Sequence, residues 1–283
     1  MFIDRSVDEL RESPMSNEES PVLSHREGAV LTLTLNRPKA LNSFTGAMHD
    51  ALIVALHSAA EDRSVRCLVL TGAGRAFCAG QDLSDPEIAP DLTPGAEPKD
   101  IGALIESRYK PLALALHTFP VPVIAAVNGV AAGAGANVAL NCDMVLAARS
   151  ASFIQAFSKI GLIPDAGGTW LLPRLVGRAN AIALAFLGDK LPAEEAARIG
   201  LIWRCVDDAV LASEAQALAQ RLAALPAHAL AETRRAFNAA DHMPLAEALN
   251  MEAQVQRRLG MNHDYLEGVA AFFEKRPAVF TDR

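Results

Sequence analysis

From Pro111 to Cys142 the chain carries no Asp, Glu, Lys or Arg, and an uncharged run of that length has few places to go. By length alone it could cross a membrane. Pro120, Pro122, Asn128, Gly129 and Asn137 break it into shorter pieces, so it reads as a buried strand, a turn and a helix. The strand is expected over Pro122 to Val127. The helix is expected over Ala132 to Cys142, where small residues allow close packing. Such a run needs a large core around it, and a chain of 283 residues can build one.

The rest of the chain surrounds this run with alternating strands and helices. Val30 to Leu35 alternates apolar residues with Thr, and Asn36-Arg37-Pro38 closes it. Ser43 to Ala60 places Met48, Leu52, Leu56 and Ala59 on one helical face, and Cys67 to Leu70 is the next strand. Ser84 to Lys99, rich in Pro, Asp and Gly, reads as a mobile loop that shapes a pocket. Ile101 to Thr118 is helical and Asp143 to Ala148 a short strand. Helices then dominate: Ala179 to Leu187, Ala193 to Ile199, Val210 to Leu225, Ala227 to Ala240 and Leu245 to Arg258. The organisation expected is a disordered tail over 1–20, an α/β core over 21–209 that holds the site, and a helical region over 210–283.

Charge and cysteine usage exclude several functions. A net charge of −7, with no basic stripe and no aromatic residues interleaved with Lys or Arg, argues against nucleic-acid binding. Cys67, Cys78, Cys142 and Cys205 are widely spaced, so neither a metal site nor a disulfide framework is expected. Met1 to Glu19 is acidic and polar without an apolar core, unlike a secretory signal, and cytoplasm is the expected location.

Two glycine-rich turns point toward chemistry at a carbonyl. Phe77-Cys78-Ala79-Gly80-Gln81-Asp82-Leu83 and Val127-Asn128-Gly129-Val130-Ala131-Ala132-Gly133-Ala134-Gly135 each follow an apolar run. Turns of Gly and Ala leave backbone N–H groups bare, and two such donors aimed at one point stabilise an oxygen that gains negative charge. A third segment, Gly161-Leu162-Ile163-Pro164-Asp165-Ala166-Gly167-Gly168-Thr169, sets one carboxylate among small and apolar residues. Asp165 has two readings: a helix N-cap, or a base whose pKa is raised by removal from water. Asp82 reads as a structural carboxylate that ties the first turn to nearby N–H groups.

Other motifs carry less. Gly72-Ala73-Gly74-Arg75-Ala76-Phe77 matches GxGxxG, but Phe77 stands where the dinucleotide fingerprint needs a small residue, so no nicotinamide cofactor is expected. No phosphate loop or nucleophile elbow is present. Cys78 reads as a small buried hydrophobe, and the seven histidines lack metal-binding spacing and read as packing or surface residues.

Together, Phe77 to Leu83, Asn128 to Leu140 and Gly161 to Thr169 resemble the signature segments of the enoyl-CoA hydratase/isomerase (crotonase) superfamily. Asn36-Arg37-Pro38-Lys39-Ala40-Leu41-Asn42-Ser43 is similar to its coenzyme A loop, and the likeness extends from about Val22 to Phe280. The resemblance implies an α/β crotonase (ClpP/crotonase-like) fold of ββα units with a helical C-terminal trimerisation region. It also implies a homotrimer or dimer of trimers, an acyl-CoA thioester substrate, and no cofactor beyond the coenzyme A of that substrate. Nucleic acid and membrane are not expected partners, and no metal is expected.

Carried over residue by residue, the resemblance makes the backbone N–H groups of Gln81 and Ala134 the oxyanion donors. It places Lys39, Ala40, Ala79, Asp82, Leu83 and Lys275 along the substrate and its coenzyme A, with Lys275 reaching a neighbouring subunit. Hydratases of the superfamily use two glutamates; this chain has Asn137 and Phe157 at those positions. Asp165 is then the only ionisable side chain in the matched catalytic segments, which implies isomerisation. Ala156 to Asp165, Gly167 to Arg174 and Gly200 to Trp203 look most like the branch that converts ring-1,2-epoxyphenylacetyl-CoA to oxepin-CoA in phenylacetate catabolism. A 3,2-enoyl-CoA isomerase and a non-catalytic acyl-CoA-binding member are the alternatives.

Overall fold

The computed structural model describes residues 20–283; the expected tail lies outside the described residues but for Ser20. The chain opens with β1 (Val22–Glu27), β2 (Val30–Leu35), α1 (Gly46–Glu61), β3 (Cys67–Gly72) and β4 (Ala76–Cys78). Next come α2 (Ile101–Leu104), α3 (Lys110–His117), β5 (Val123–Val127), β6 (Val130–Ala132) and α4 (Ala134–Leu140). Then follow β7 (Met144–Ala148), β8 (Ser152–Ile154), α5 (Gly168–Leu187), β9 (Leu191–Pro192), α6 (Ala193–Arg198) and β10 (Arg204–Val206). The chain closes with α7 (Leu211–Ala223), α8 (Ala227–Ala240), α9 (Leu245–Leu259) and α10 (His263–Glu274).

Two sheets organise the molecule. The larger has the order β1-β2-β3-β5-β7-β10, antiparallel only between β1 and β2. The smaller has the order β4-β6-β8-β9, with β4, β6 and β8 parallel and β9 antiparallel. Three times a long strand of the first sheet turns a short corner into a strand of the second: β3 into β4, β5 into β6, β7 into β8. Two asparagine side chains, Asn42 fully buried and Asn128 half-buried, stabilise the first of these corners. Asn42 Nδ2 donates to the carbonyls of Ala73 (2.9 Å) and Ala76 (2.8 Å), and Asn128 Nδ2 donates to Gly74 (2.9 Å) and Ala76 (3.2 Å). Corner carbonyls that no strand can pair thereby receive donors.

The uncharged run forms the interior, as its composition requires. All five residues of β5 and all seven of α4 are buried, Asn137 included, so α4 has no solvent face. Gly135 allows α4 to lie directly on β4: a Cβ added there would fall 2.4 Å from the Cys78 carbonyl oxygen and 2.7 Å from its Sγ. On the other sheet, α7 packs against β2, β3, β5 and β7 through Leu211, Ala215, Ala219 and Ala223. Helices α8 to α10 leave large apolar side chains in solvent, among them Phe237, Leu245, Leu266, Phe272 and Phe273.

The structure departs from the sequence reading at several points. Strands of two or three residues were not expected, nor were β1 and α10. Helix α5 starts at Gly168 rather than Ala179, and Gly177 (φ 71°, ψ 160°) breaks it into two helices, although its length and composition would suit a membrane span. The loop over 84–99 has anchors: Ile88 is buried, and buried Asp85 accepts the Gly46 N–H at 3.0 Å.

The close approach of α4 to β4 yields a prediction. Gly135→Ala is expected to destabilise the fold by about 1–3 kcal/mol, the usual cost of overpacking. A thermal melt followed by circular dichroism measures it, and an unchanged midpoint would contradict the packing described.

Candidate active site

Because β4, β6 and β8 run parallel and side by side, their C-terminal ends open on one edge of the small sheet. The first glycine turn leaves β4, the second leaves β6, and the segment leading to Asp165 leaves β8. Three motifs far apart in sequence thus share one edge. The carboxyl ends of parallel strands commonly carry binding sites for this reason.

The first two turns meet at Gly80. It has φ +94°, and a Cβ there would lie 2.9 Å from the Ala132 carbonyl oxygen and 3.6 Å from the Ala134 nitrogen. Phe44 pairs with the turn as a parallel bridge: its N–H donates to Gly80 O at 2.7 Å, and its carbonyl accepts from Asp82 N at 2.9 Å. In an extended chain, alternate residues present their backbone groups to opposite sides. The Gln81 N–H therefore points away from Phe44 and makes no hydrogen bond among the described residues. Ala134 is the first residue of α4, so its N–H has no acceptor within the helix. Gly133 before it has φ +52° and ψ −129°, a conformation open to glycine.

Asp165 lies in the turn before α5. The N-cap reading does not hold: Gly167 occupies the cap position, and no side chain caps the helix. Instead the Asp165 backbone carbonyl accepts from Gly168 N at 2.7 Å and from Asn137 Nδ2 at 2.8 Å, while the side-chain Oδ1 is buried without a partner among the described residues. Burial pushes its carboxyl up to about 7. The next residue, Ala166, has φ +46°, a conformation that costs a non-glycine residue roughly 1 kcal/mol.

Neither hydratase-like carboxylate has a stand-in. Asn137 is fully buried, and its Oδ1 accepts from Gln155 Nε2 at 2.9 Å, so its amide is engaged at both ends. Phe157 is buried, with its ring tip 3.8 Å from the place a Gly133 Cβ would take.

Two residues that sequence reasoning treated as generic belong to the same pocket. Tyr109 is fully buried and donates its hydroxyl to Gln81 Oε1 at 2.7 Å. It closes Ile105–Tyr109, a π-helical turn of the kind often found at functional sites. Burial, with the charges of Cys78, Asp165 and Asp85, holds its phenol well above its ordinary range. His49 stacks on Phe44 and meets Tyr109 edge-on, each at 4.6 Å between ring centres. Burial and the charge of Arg108 lower its imidazole to about 4. No spacing rule marks either residue; both sit on helices far from the glycine turns in sequence.

The remaining candidates differ in exposure and in their partners. Asp82 Oδ1 accepts from Ser84 N and Oγ, and its Oδ2 pairs with Arg37 at 3.0 Å. Ala79 N donates to Leu41 O at 3.0 Å, and the Ala40 carbonyl accepts from Ser43. Leu83, Lys39 and Lys275 are exposed, and among the described residues neither lysine has an ion-pair partner. Cys78 is buried, with its thiol pushed up to about 12. His263, Asp264 and Asp282 lie close enough to share a cation, but Asp264 accepts the N–H groups of Thr281 and Asp282 and ties down the C-terminal segment.

Comparison with known proteins shows the family and the fold. The family model described as enoyl-CoA hydratase/isomerase matches residues 25–283. The 1,2-epoxyphenylacetyl-CoA isomerase of Escherichia coli K12 is 53% identical over 93% of this chain and 98% of its own length. A Rhodobacter capsulatus relative named a probable enoyl-CoA hydratase is 49% identical over 89% of this chain and 94% of its own. The crystal structure of an enoyl-CoA hydratase from Mycobacterium smegmatis superposes with a TM-score of 0.83 at 33% identity, covering 93% of this chain and 99% of that one.

The Asp165 environment sets two pH effects. If its carboxylate accepts a proton, kcat should rise with pH about a midpoint near 7. Because the folded value lies above the unfolded one, the folded chain binds more protons between about 4 and 7, and stability falls as pH rises through that window. Asp165→Asn should therefore stabilise the fold at pH 8 by on the order of a few kcal/mol, read as a higher thermal midpoint than the native chain's, with the gain vanishing near pH 4. Equal midpoint shifts at both pH values would refute the buried-carboxyl assignment.

Proposed function

The chain belongs to the enoyl-CoA hydratase/isomerase family, and on that footing we propose that it is an acyl-CoA isomerase with Asp165 as its only acid–base side chain. One observation carries the reading: a carboxyl near neutrality, its Oδ1 buried, stands at the same sheet edge as two backbone donors that have no partner among the described residues. Asp165 takes the proton from the carbon next to the thioester and returns a proton at another position. The Gln81 and Ala134 N–H groups hold the thioester oxygen as it becomes an enolate, each contributing about 3–4 kcal/mol to the transition state.

Hydration by the two-glutamate route has no support here. It needs one group to activate water and another to protonate carbon, and Asn137 and Phe157 supply neither. The favoured substrate is ring-1,2-epoxyphenylacetyl-CoA, whose enolate drives epoxide opening toward oxepin-CoA; the similarity to the Escherichia coli isomerase supports it. The same groups would move a double bond from the 3,4 to the 2,3 position of a linear enoyl-CoA.

Lys39, the Ala40 backbone and Lys275 receive the coenzyme A end, with Ala79, Asp82 and Leu83 along the acyl path. Free lysines suit phosphate groups against the net negative charge of the chain. The exposed apolar side chains of α8 to α10 suit a homotrimer or a dimer of trimers. No cofactor is called for beyond the coenzyme A of the substrate, and the proposed location is the cytoplasm.

Product analysis tests the proposal with three thioesters: ring-1,2-epoxyphenylacetyl-CoA, trans-3-hexenoyl-CoA and crotonyl-CoA. Isomerised product from the first is expected, with at most slow water addition to the third. Asp165→Asn should lower isomerisation by about 100-fold or more. Full activity in a folded Asp165→Asn protein would sink the role of Asp165. Rapid hydration of crotonyl-CoA would favour a hydratase, and binding without turnover a non-catalytic member.

A further inference from the structure

A proton-transfer carboxylate must keep its oxygens free for substrate, so it cannot be aimed by side-chain hydrogen bonds to those oxygens. Asp165 meets this condition at Oδ1, and its direction must come from its backbone. Two asparagines one turn apart, Asn137 within α4 and Asn141 at its C-cap, grip that backbone. Asn137 Nδ2 donates to the Asp165 carbonyl at 2.8 Å, and Asn141 Nδ2 donates to the Ala166 carbonyl at 2.8 Å. Both side chains are buried. Asn141 also donates to the Asn137 carbonyl at 2.8 Å, and Gln155 holds the far end of the Asn137 amide. The start of α5 rests directly on this clamp, since a Cβ on Gly168 would fall 2.3 Å from Asn137 Nδ2.

We propose that Asn137 and Asn141 are positioning residues, which hold consecutive carbonyls of the Asp165 turn and thereby aim its carboxylate at the carbon next to the thioester. The inference rests on Asp165 as the proton-transfer group. The turn needs such a grip: Ala166 is held at φ +46°, and without the clamp the backbone can relax and swing the carboxylate. The same short helix begins with Ala134. One rigid element therefore spaces an oxyanion donor and the base together, and the position that carries a glutamate in hydratases here supports the carboxylate next door.

Steady-state kinetics on trans-3-hexenoyl-CoA and ring-1,2-epoxyphenylacetyl-CoA test this with Asn137→Ala, Asn137→Asp and Asn141→Ala, beside Asp165→Asn. Asn137→Asp keeps the shape and the acceptor toward Gln155 but loses the donor toward Asp165, so it stays informative if the alanine variant fails to fold. Both Asn137 variants are expected to lower kcat by about 10- to 100-fold, the scale of a small misplacement of a reacting group. KM should stay within about twofold, since the coenzyme A contacts lie elsewhere, and Asn141→Ala should act in the same direction. A KM that rises in step with the fall in kcat would indicate a merely structural role and overturn the proposal. So would near-native kcat in Asn137→Asp and Asn141→Ala beside an inactive Asp165→Asn. A fully active Asp165→Asn protein would instead overturn the reading of Asp165 itself.

Discussion

Close packing of α4 on the short sheet sets the spacing of the site, and it depends on an absent side chain. At Gly135 the helix comes so near β4 that even a methyl group would overlap the Cys78 carbonyl oxygen. That proximity brings the first residue of α4 beside the turn at Gly80, and the two unpartnered N–H groups to one edge. Moving α4 outward to admit a larger residue would part Ala134 from Gln81 and pull Asn137 from the Asp165 carbonyl at once. The two N–H groups and the Asp165 turn are thus not independent features that chance to lie close together.

The electrostatics follow from what surrounds Asp165. Every other buried titratable group with a resolved shift near the pocket is held neutral at physiological pH: His49 falls to about 4, Cys78 is pushed up to about 12, and Tyr109 stays a phenol. Asp165, at about 7, is the group left to change charge. Its ionised form gains little from its neighbours, because burial dominates the shift and no partner holds Oδ1. The energy that burial costs the fold is what raises the carboxyl to where it exchanges its proton near neutrality, as the proposed function requires.

Much of this was legible in the sequence where burial or backbone chemistry leaves a composition signal. The uncharged run from Pro111 to Cys142 becomes most of α3, whose Leu114 is exposed, and then β5, β6 and α4, where β5 and α4 are buried throughout and charge has no place. The glycine turns announced their bare donors, since only glycine readily takes the backbone of Gly80 and Gly133. Strands β4, β6 and β8 left no signal: three residues are too few for alternation to show. Tyr109, His49 and Asn141 were also missed, because they reach the site through tertiary packing. The N-cap reading of Asp165 failed for a local reason. Gly167 takes the cap, so the carboxylate stands outside the helix with its carbonyl, rather than its side chain, tied to the backbone.

A single base suits a reaction that begins and ends within one molecule. Adding water requires a nucleophile activated at one carbon while a proton is delivered to another, so two ionisable groups divide the work. Shifting a proton within a thioester requires only that one group leave and return while the charge waits on the oxygen, and two backbone donors can hold it there. The position that could have carried the second acid holds Asn137, whose amide is engaged by Gln155 on one side and the Asp165 carbonyl on the other. In the proposed function one side chain therefore serves twice: Asn137 brings no second acid, and its amide supports the turn that carries Asp165.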